Sequence, residues 1–454
     1  MADNFGEPAQ PSTLPKITEP SVEQSPAVGA FVKTEAPFTP ESSRLQEPDD
    51  LDGWPPIVRA LRNPDFRVFW GGNFLSNIGT WMQNVAQGWL VLELTDSSFW
   101  LGMVGFAASF PFLLFTLFGG VIADRVNKRY LLVGTQTIMM LLAFLLSGLA
   151  YYKVITIRSL IAIAFLNGVV MSLNAPSYQA MVPQLVRSSD LANAVALNAA
   201  QFNMSRVLGP TLGGYAMALF GVAGNFFLNG VSFLAVLGSL FRIRYPEEKR
   251  VVGLTMWQSL KEGLAYVRGN PQMRAIIGLV AAASLLLLPF ITFVPFFARN
   301  ILHAGERGLG ILMAFSGMGA FLAAVTIAYL GSIRHRGTVI VVSGLFVMAS
   351  VIGFCYSRSF ALSGFLQLCE GYGMIMTVST VNVAMQQLSS NEMRGRVMSI
   401  YATSFLGLPP VGSLIAGALS RYLPTEHVLA AMSALAMIVY VIYYIISSPL
   451  RELD

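Results

Sequence analysis

From Phe66 onward the chain is a succession of apolar runs, near 66–94, 98–122, 130–151, 157–181, 194–220, 223–243, 274–300, 307–330, 338–357, 360–386, 397–420 and 426–447. Each reaches the ~20 residues that a helix needs to cross about 30 Å of hydrocarbon. A membrane strand would be about ten residues long with strict alternation of polarity, and these runs do not alternate. The pattern predicts an all-α membrane protein of twelve transmembrane helices, segments 1 to 12 in chain order.

One long polar interval, 242–273, separates segment 6 from segment 7. Within it Trp257, Leu260, Leu264 and Val267 recur at helical spacing, which predicts an amphipathic surface helix. The stretches on either side resemble each other. Leu101-Gly102 opens segment 2 as Leu309-Gly310 opens segment 8. Asn167-Gly168 in segment 4 returns as Glu370-Gly371 in segment 10. Gly209-Pro210 with Gly213-Gly214 in segment 5 is answered by Pro409-Pro410 with Gly412 in segment 11. The expected organisation is a duplicated six-helix unit: an N-terminal half at 57–241, a cytoplasmic loop at 242–273, a C-terminal half at 274–447 and a short tail at 448–454. Such pseudo-symmetric halves are the layout of a transporter that rocks one half against the other.

Composition narrows the class. Of the 454 residues 54% are hydrophobic and only 12% charged, against about a quarter charged in soluble domains. Two cysteines and three histidines lack any metal-ligand spacing, and no cofactor motif is present. Residues 1–56 differ from everything after them. They hold ten of the 23 prolines and ten acidic residues, the composition of a disordered tail, without a signal-peptide pattern. With that tail inside, the cytoplasmic connections carry 19 Lys and Arg and the outer ones six. The positive-inside rule then puts both termini in the cytoplasm, in a bacterial inner membrane.

Polar residues inside the spans mark candidate chemistry. Asn73, Asn77, Thr80, Asn84 and Gln87 follow one face of segment 1. Lipid cannot satisfy amides, so these must face other helices or a water-filled cavity. Glu370 lies ten residues inside segment 10 and Arg206 about twelve inside segment 5, so each is some 15 to 18 Å from its own surface. Intramembrane charges are functional candidates by default. One reading puts both on a central cavity, Glu370 taking up protons and Arg206 holding an anionic substrate or tuning the carboxylate. The other makes each structural within its own half. Asn167 lies opposite in segment 4, and Glu93, at the end of segment 1, ranks second as a proton site. Pro289, Pro295, Pro409 and Pro410 mark bends, and Phe290, Phe293, Phe296 and Phe297 beside the first pair are read equally as lipid-facing or substrate-stacking.

Two motifs carry a family resemblance. Gly120-Val-Ile-Ala-Asp124-Arg125-Val-Asn-Lys128-Arg129 resembles the cytoplasmic G-x-L-A-D-R-x-G-R-R signature of the major facilitator superfamily, with Ile122 for Leu and Asn127 for the second Gly. Gly209-Pro210-Thr-Leu-Gly213-Gly214 is similar to the G-P-x-x-G-G motif of that superfamily's exporters. Asn63-Pro-Asp-Phe-Arg67, Asn174-Ala-Pro176 and Arg394-Gly-Arg396-Val-Met398 look like its enterobactin-exporter-like branch, the transmembrane secretion effectors. The resemblance covers about 57–447. It implies the major facilitator fold, a latch in which Asp124 docks near Arg396 at the start of segment 11, and proton-driven export of a siderophore, macrolide-like drug or other amphipathic small molecule by a monomer. The R-x-x-Q-G of many proton-driven drug exporters is absent: segment 4 reads Ala164-Phe-Leu-Asn167-Gly168.

The rival readings are an importer or lipid flippase of the same fold, and a membrane receptor that uses the acidic tail. An enzyme is disfavoured, because no paired catalytic residues, P-loop or nucleic-acid-binding surface is visible.

Overall fold

A computed structural model describes residues 55–243, 256–331 and 334–453, with the side chains at 56, 112–113, 116–125 and 256–260 outside the description. The acidic tail therefore lies outside the described residues except for its last two positions. A 3-10 turn (Pro56–Arg62) leads into α1 (Pro64–Thr95), α2 (Ser98–Arg125), α3 (Lys128–Tyr151), α4 (Ile157–Met181) and α5 (Leu191–Arg242). After the gap come α6 (Met256–Gly269), α7 (Pro271–Leu286), α8 (Phe290–Phe296), a π-helical turn (Phe297–Ile301), α9 (Gly305–Leu330), α10 (Arg336–Tyr356) and α11 (Phe360–Leu388). The chain ends with α12 (Arg394–Gly407), α13 (Pro409–Leu419), α14 (Thr425–Ile446) and α15 (Ser448–Arg451). Among the described residues there is no strand.

These elements are the twelve spans. α5 holds segments 5 and 6, broken where Gly221 takes φ 68°, a left-handed turn open to glycine. Segment 7 comprises α7, α8 and the π turn, because Pro289 and Pro295 remove two backbone donors within seven residues. Segment 11 is α12 plus α13, interrupted at Pro409-Pro410. The amphipathic interval forms α6: Val267 is buried and Leu264 exposed, while Trp257 and Leu260 lie outside the described side chains.

The 3-10 turn Pro56–Arg62, α6 and α15 lie at one end of the bundle, here called the terminal end. The connections after α1, α3 and the π turn, with Gly221, lie at the other, the distal end. Exposed Leu141, Leu145, Phe321 and Ile438 stud the periphery, as expected where the solvent is hydrocarbon. With no hydrophobic drive between helices in lipid, the bundle depends on close backbone approach at small residues.

The glycines show how the duplication works. A Cβ on Gly102 of α2 would run into the Ser413 carbonyl of α13, and one on Gly310 of α9 would stand 2.9 Å from the Pro210 carbonyl of α5. Gly417 faces Gly102 as Gly214 faces Gly310. Inside each half, Gly168 of α4 rests on the Ala108 carbonyl of α2, and Gly371 of α11 rests on the Ser316 carbonyl of α9. The repeated dipeptides thus make equivalent crossings in the two halves, and the crossings at Gly102 and Gly310 join one half to the other.

The distal end is sealed by these two crossings and by polar contacts between the halves. Thr425 Oγ1 donates to Ser98 Oγ at 2.8 Å, both buried. Asn300 Nδ2 donates to Asp96 at 3.2 Å, with Arg299 at 3.9 Å from the same carboxylate. The Arg421 guanidinium stands 3.4 Å above the Phe99 ring centre, a cation–π contact.

Candidate functional site

Below the distal seal lies a cavity of ≈ 270 Å³ between the halves, walled by α1, α2, α8, α9 and α13. Its polar groups are Asn84 and Gln87 of α1, Ser109 of α2, Thr292 of α8 and Ser413 of α13. Thr292 and Ser413 hydroxyls are 3.4 Å apart, and Trp81 and Pro295 supply apolar wall. Amides from one half and hydroxyls from the other, set in an apolar wall, are what a small amphipathic ligand requires.

The polar stripe of α1 divides along its length. Asn84 and Gln87 line the cavity. Asn73 is buried and spends its Nδ2 on the Phe69 carbonyl one turn back, at 2.9 Å, and Thr80 does likewise with Ser76 at 3.0 Å. Asn77 is half-buried between them. Gln83, which the periodicity did not single out, accepts a 2.7 Å hydrogen bond from Asn229, both buried. That amide pair ties α1 to the second part of α5.

Glu370 does not line the cavity. It is buried at the contact of α9 with α11, where Ser316 Oγ donates to its Oε2 at 2.7 Å. Arg206 is half-buried on α5, midway between Leu191 and the Gly221 break. It is carried on the α5 turn that meets α9 beside this hydrogen bond, and among the described residues no ion pair joins it to Glu370. The sequence makes this proximity possible through two glycines. Gly371 lets the Ser316 turn approach α11, and Gly317, the residue after Ser316, admits Val207, the residue after Arg206, with a Cβ at Gly317 3.0 Å from Val207 Cα. Pro210 has no N–H for the Arg206 carbonyl one turn back, so the helix ladder is open at that turn. Ser316 was not legible as a site residue, because a lone serine in an apolar span is ordinary. Its signal is the duplication, which puts Ser316 opposite Ala108 and Glu370 opposite Asn167.

The equivalent place in the N-terminal half is therefore neutral. Asn167 is half-buried beside Gly168, and Ala108 offers no hydroxyl. Of the two copies only the second carries the carboxylate and its donor.

In the helix-5 motif, Gly209 packs on Trp81 and the Ile78 carbonyl, Gly213 on Met82, and Gly214 on Gly310, while Pro210 is buried with its carbonyl against Gly310. The motif thus serves two neighbours, α1 within its half and α9 across the interface. Glu93 is exposed at the distal end and accepts from Trp89 Nε1 at 2.9 Å. It opens onto a separate distal pocket and not onto the central cavity.

At the terminal end, Gly120, Asp124 and Arg125 fall among the side chains outside the description. Asn127, where the superfamily signature has Gly, has φ −59° and caps α3, its Oδ1 accepting from Arg129 N at 3.0 Å and Tyr130 N at 3.4 Å. A left-handed residue is not needed there, and a capping one is. Lys128 begins α3, and Arg129 Nη2 donates to the Phe241 carbonyl at 2.9 Å. Arg396 pairs with Glu262 of α6 at 2.5 Å. Of the phenylalanines of segment 7, Phe290, Phe293 and Phe297 are buried in the C-terminal half, with Phe290 and Phe297 each 5.1 Å from Phe354, while Phe296 is half-buried; none of the four lines the central cavity.

The sequence profile of the transmembrane secretion effectors matches residues 55–454. The chain belongs to the transmembrane secretion effector family. Relatives in function-assigned proteins include the staphyloferrin A transporter of Staphylococcus aureus, 22% identical over 85% of this chain and 97% of the relative. The enterobactin exporter EntS of Citrobacter koseri is 24% identical over 83% of this chain and 90% of the relative. Among solved structures, a bacterial homologue of the human lysosomal transporter Spinster, inward-facing and unoccupied, aligns with a TM-score of 0.65 at 13% identity, covering 88% of this chain and 97% of that one. This transmembrane secretion effector therefore has the two-half, twelve-helix fold of major facilitator transporters. It is a multi-pass membrane transporter, not an enzyme.

Proposed function

We propose that this chain is a proton-coupled exporter of a small amphipathic molecule, with Glu370 as the proton-carrying group and Arg206 as its charge partner. The observation that carries the reading is the Glu370–Ser316 hydrogen bond at the α9–α11 contact, with Arg206 on the α5 turn that packs beside it from the other half. A buried carboxylate in a membrane span is costly unless it is paired or neutralised. Its charge state is therefore coupled to how closely α5 stands against α9, which is the contact that must change when the halves rock. Protonation lets the halves separate there, and release of the proton draws Arg206 back. The substrate occupies the cavity at Asn84, Gln87, Thr292 and Ser413.

The rocking units are 57–241 and 274–447, joined by 242–273. In this reading the terminal end is cytoplasmic, with both termini inside a bacterial inner membrane, and the excess of Lys and Arg on that side supports the orientation. Asp124 takes Arg396 from Glu262 when the cytoplasmic side shuts. The names of the relatives, a staphyloferrin A transporter and an enterobactin exporter, support export of a compound of that kind. The protein acts as a monomer in this reading.

The test uses everted vesicles energised by respiration and a pH dye, challenged with catecholate siderophores, macrolides and lipophilic cations. Substrate-dependent proton release that vanishes in Glu370→Gln is expected. Release that persists in Glu370→Gln would move the coupling group elsewhere, and substrate movement out of the vesicles would favour the importer reading.

A further inference from the structure

Two cavities at the distal end share a wall. The first, ≈ 650 Å³, is a groove between α3 and the part of α5 beyond Gly221, lined by Phe144, Gly148, Phe220, Phe227 and Leu228. Phe220 and Phe227 are exposed, so the groove opens sideways toward hydrocarbon. The second, ≈ 450 Å³, lies at the helix ends and holds Glu93, Lys153 and Glu306 beside Leu90 and Met217. Tyr151 and Ala223 line both. The two form one path, apolar where it faces the membrane and charged where it meets the distal surface.

We infer that this path is a binding site for a phospholipid with a primary-amine headgroup, one acyl chain lying in the Phe144–Phe227 groove. The charges select the headgroup. Lys153 matches a phosphate, while Glu93 and Glu306 supply carboxylate acceptors for an ammonium group with N–H donors. A choline headgroup has no N–H to give them. An anionic headgroup without an amine would answer Lys153 alone and meet two carboxylates of its own sign. The occupant is a membrane lipid and not the transported solute, because the groove opens toward the bilayer and the central cavity shares none of its lining.

The site also senses conformation. Glu93, Lys153 and the groove belong to the N-terminal half, and Glu306 belongs to α9 of the other half. The Glu306 carbonyl would lie 2.7 Å from a Cβ on Gly214, so Glu306 completes the pocket only while the α5–α9 crossing is closed. A ligand held by both halves binds the closed form more tightly and shifts the population toward it. This inference is independent of the direction of transport and of the coupling ion.

The experiment is native mass spectrometry of the full-length protein in detergent, titrated separately with phosphatidylethanolamine, phosphatidylcholine and phosphatidylglycerol. The wild type is expected to retain one phosphatidylethanolamine with about tenfold preference over the other two, the worth of one charge-assisted hydrogen bond. Glu306→Gln is expected to remove that preference, and Lys153→Gln to lower retention of all three lipids, since each carries the phosphate. Gly148→Leu is the control that leaves every charge in place. The space around the Gly148 Cβ position is empty, so the new side chain fills the groove without disturbing the fold, and retention of the lipid should fall. Equal retention of the three lipids by the wild type, or unchanged retention of phosphatidylethanolamine in both Glu306→Gln and Gly148→Leu, would overturn the inference.

Discussion

Ser316 and Glu370 are joined by a 2.7 Å hydrogen bond across the α9–α11 contact, while their duplicates in the other half, Ala108 and Asn167, can form no such bond. The two copies share the glycine that makes the contact, Gly371 here and Gly168 there. Geometry has been kept in both halves and charge in only one. A buried carboxylate that served packing alone could have been an asparagine in both, so the asymmetry points to a task that needs ionisation.

Loss of the Ser316 donor should therefore impair transport without unfolding the protein. A hydrogen bond to a charged acceptor contributes about 1.5–3 kcal/mol, and Ser316→Ala is expected to lower proton-driven flux by roughly tenfold or more while Ser316→Thr keeps most of it. Flux in reconstituted vesicles, read beside a thermal unfolding curve, checks this. Unchanged flux in Ser316→Ala would show that the hydroxyl only fills space.

Any side chain at the α5–α9 crossing should force the distal seal open. A Cβ on Gly310 would lie 2.9 Å from the Pro210 carbonyl and 3.1 Å from Gly214 Cα, both backbone atoms that cannot rotate away. Gly310→Val is expected to expose a cysteine placed at Gln87 to a membrane-impermeant maleimide added from the distal side, in a background without Cys355 and Cys369. Gly134→Val is the comparison, since the space beside Gly134 is open, and it should leave labelling at the starting level.

The spans were readable because length and apolarity fix a transmembrane helix almost alone. The turn at Gly221 showed as a short gap between two runs, and α6 as a helical stripe in a polar interval. The site was only partly readable. Asn84 and Gln87 sit on the stripe that the spacing of segment 1 defines, but the same stripe includes Asn73, whose amide is spent on its own helix. Which part of a polar face meets water depends on neighbours far away in the chain. For the same reason Glu370 was recognisable as an intramembrane charge, whereas its donor was not. Ser316 is 54 residues earlier, and no local pattern sets it apart. The Phe290–Phe297 cluster was readable as a face but not as a destination: Phe290, Phe293 and Phe297 follow i, i+3, i+7 on one side of a helix, and the partner that side meets, Phe354, is more than 50 residues away in the chain.

The Arg396–Glu262 pair should behave as a replaceable surface contact. Glu262 is half exposed, at 52%, and such pairs are worth about 0.2–1 kcal/mol. Reversal of one charge, Glu262→Arg, is expected to slow transport measurably at low salt. The double reversal with Arg396→Glu should recover the ion pair between positions 262 and 396 but not the proposed partnership with Asp124, so transport should stay low. Full recovery would mean that Arg396 serves α6 alone.

The entry to α1 is held by a buried acid, and the burial makes its two partners unequal. Asp190 is fully buried just before α5, where Arg59 Nε reaches it at 3.0 Å and Asn63 Nδ2 at 3.3 Å. Asn193 clamps the same 3-10 turn, its Oδ1 accepting from Ala60 N at 2.8 Å and its Nδ2 donating to the Ile57 carbonyl at 2.9 Å. The Arg59 side chain is 32% exposed and can be solvated if its partner is lost, whereas Asp190 cannot. Arg59→Ala leaves a charge buried without its cation and should destabilise the terminal end by about 3 kcal/mol, while Asp190→Ala should cost less, nearer ~1 kcal/mol. Arg59→Lys should fall between them. Thermal unfolding in detergent would rank the three, and an order with Asp190→Ala worst would show that Asp190 also holds α5 in place through contacts beyond this pair.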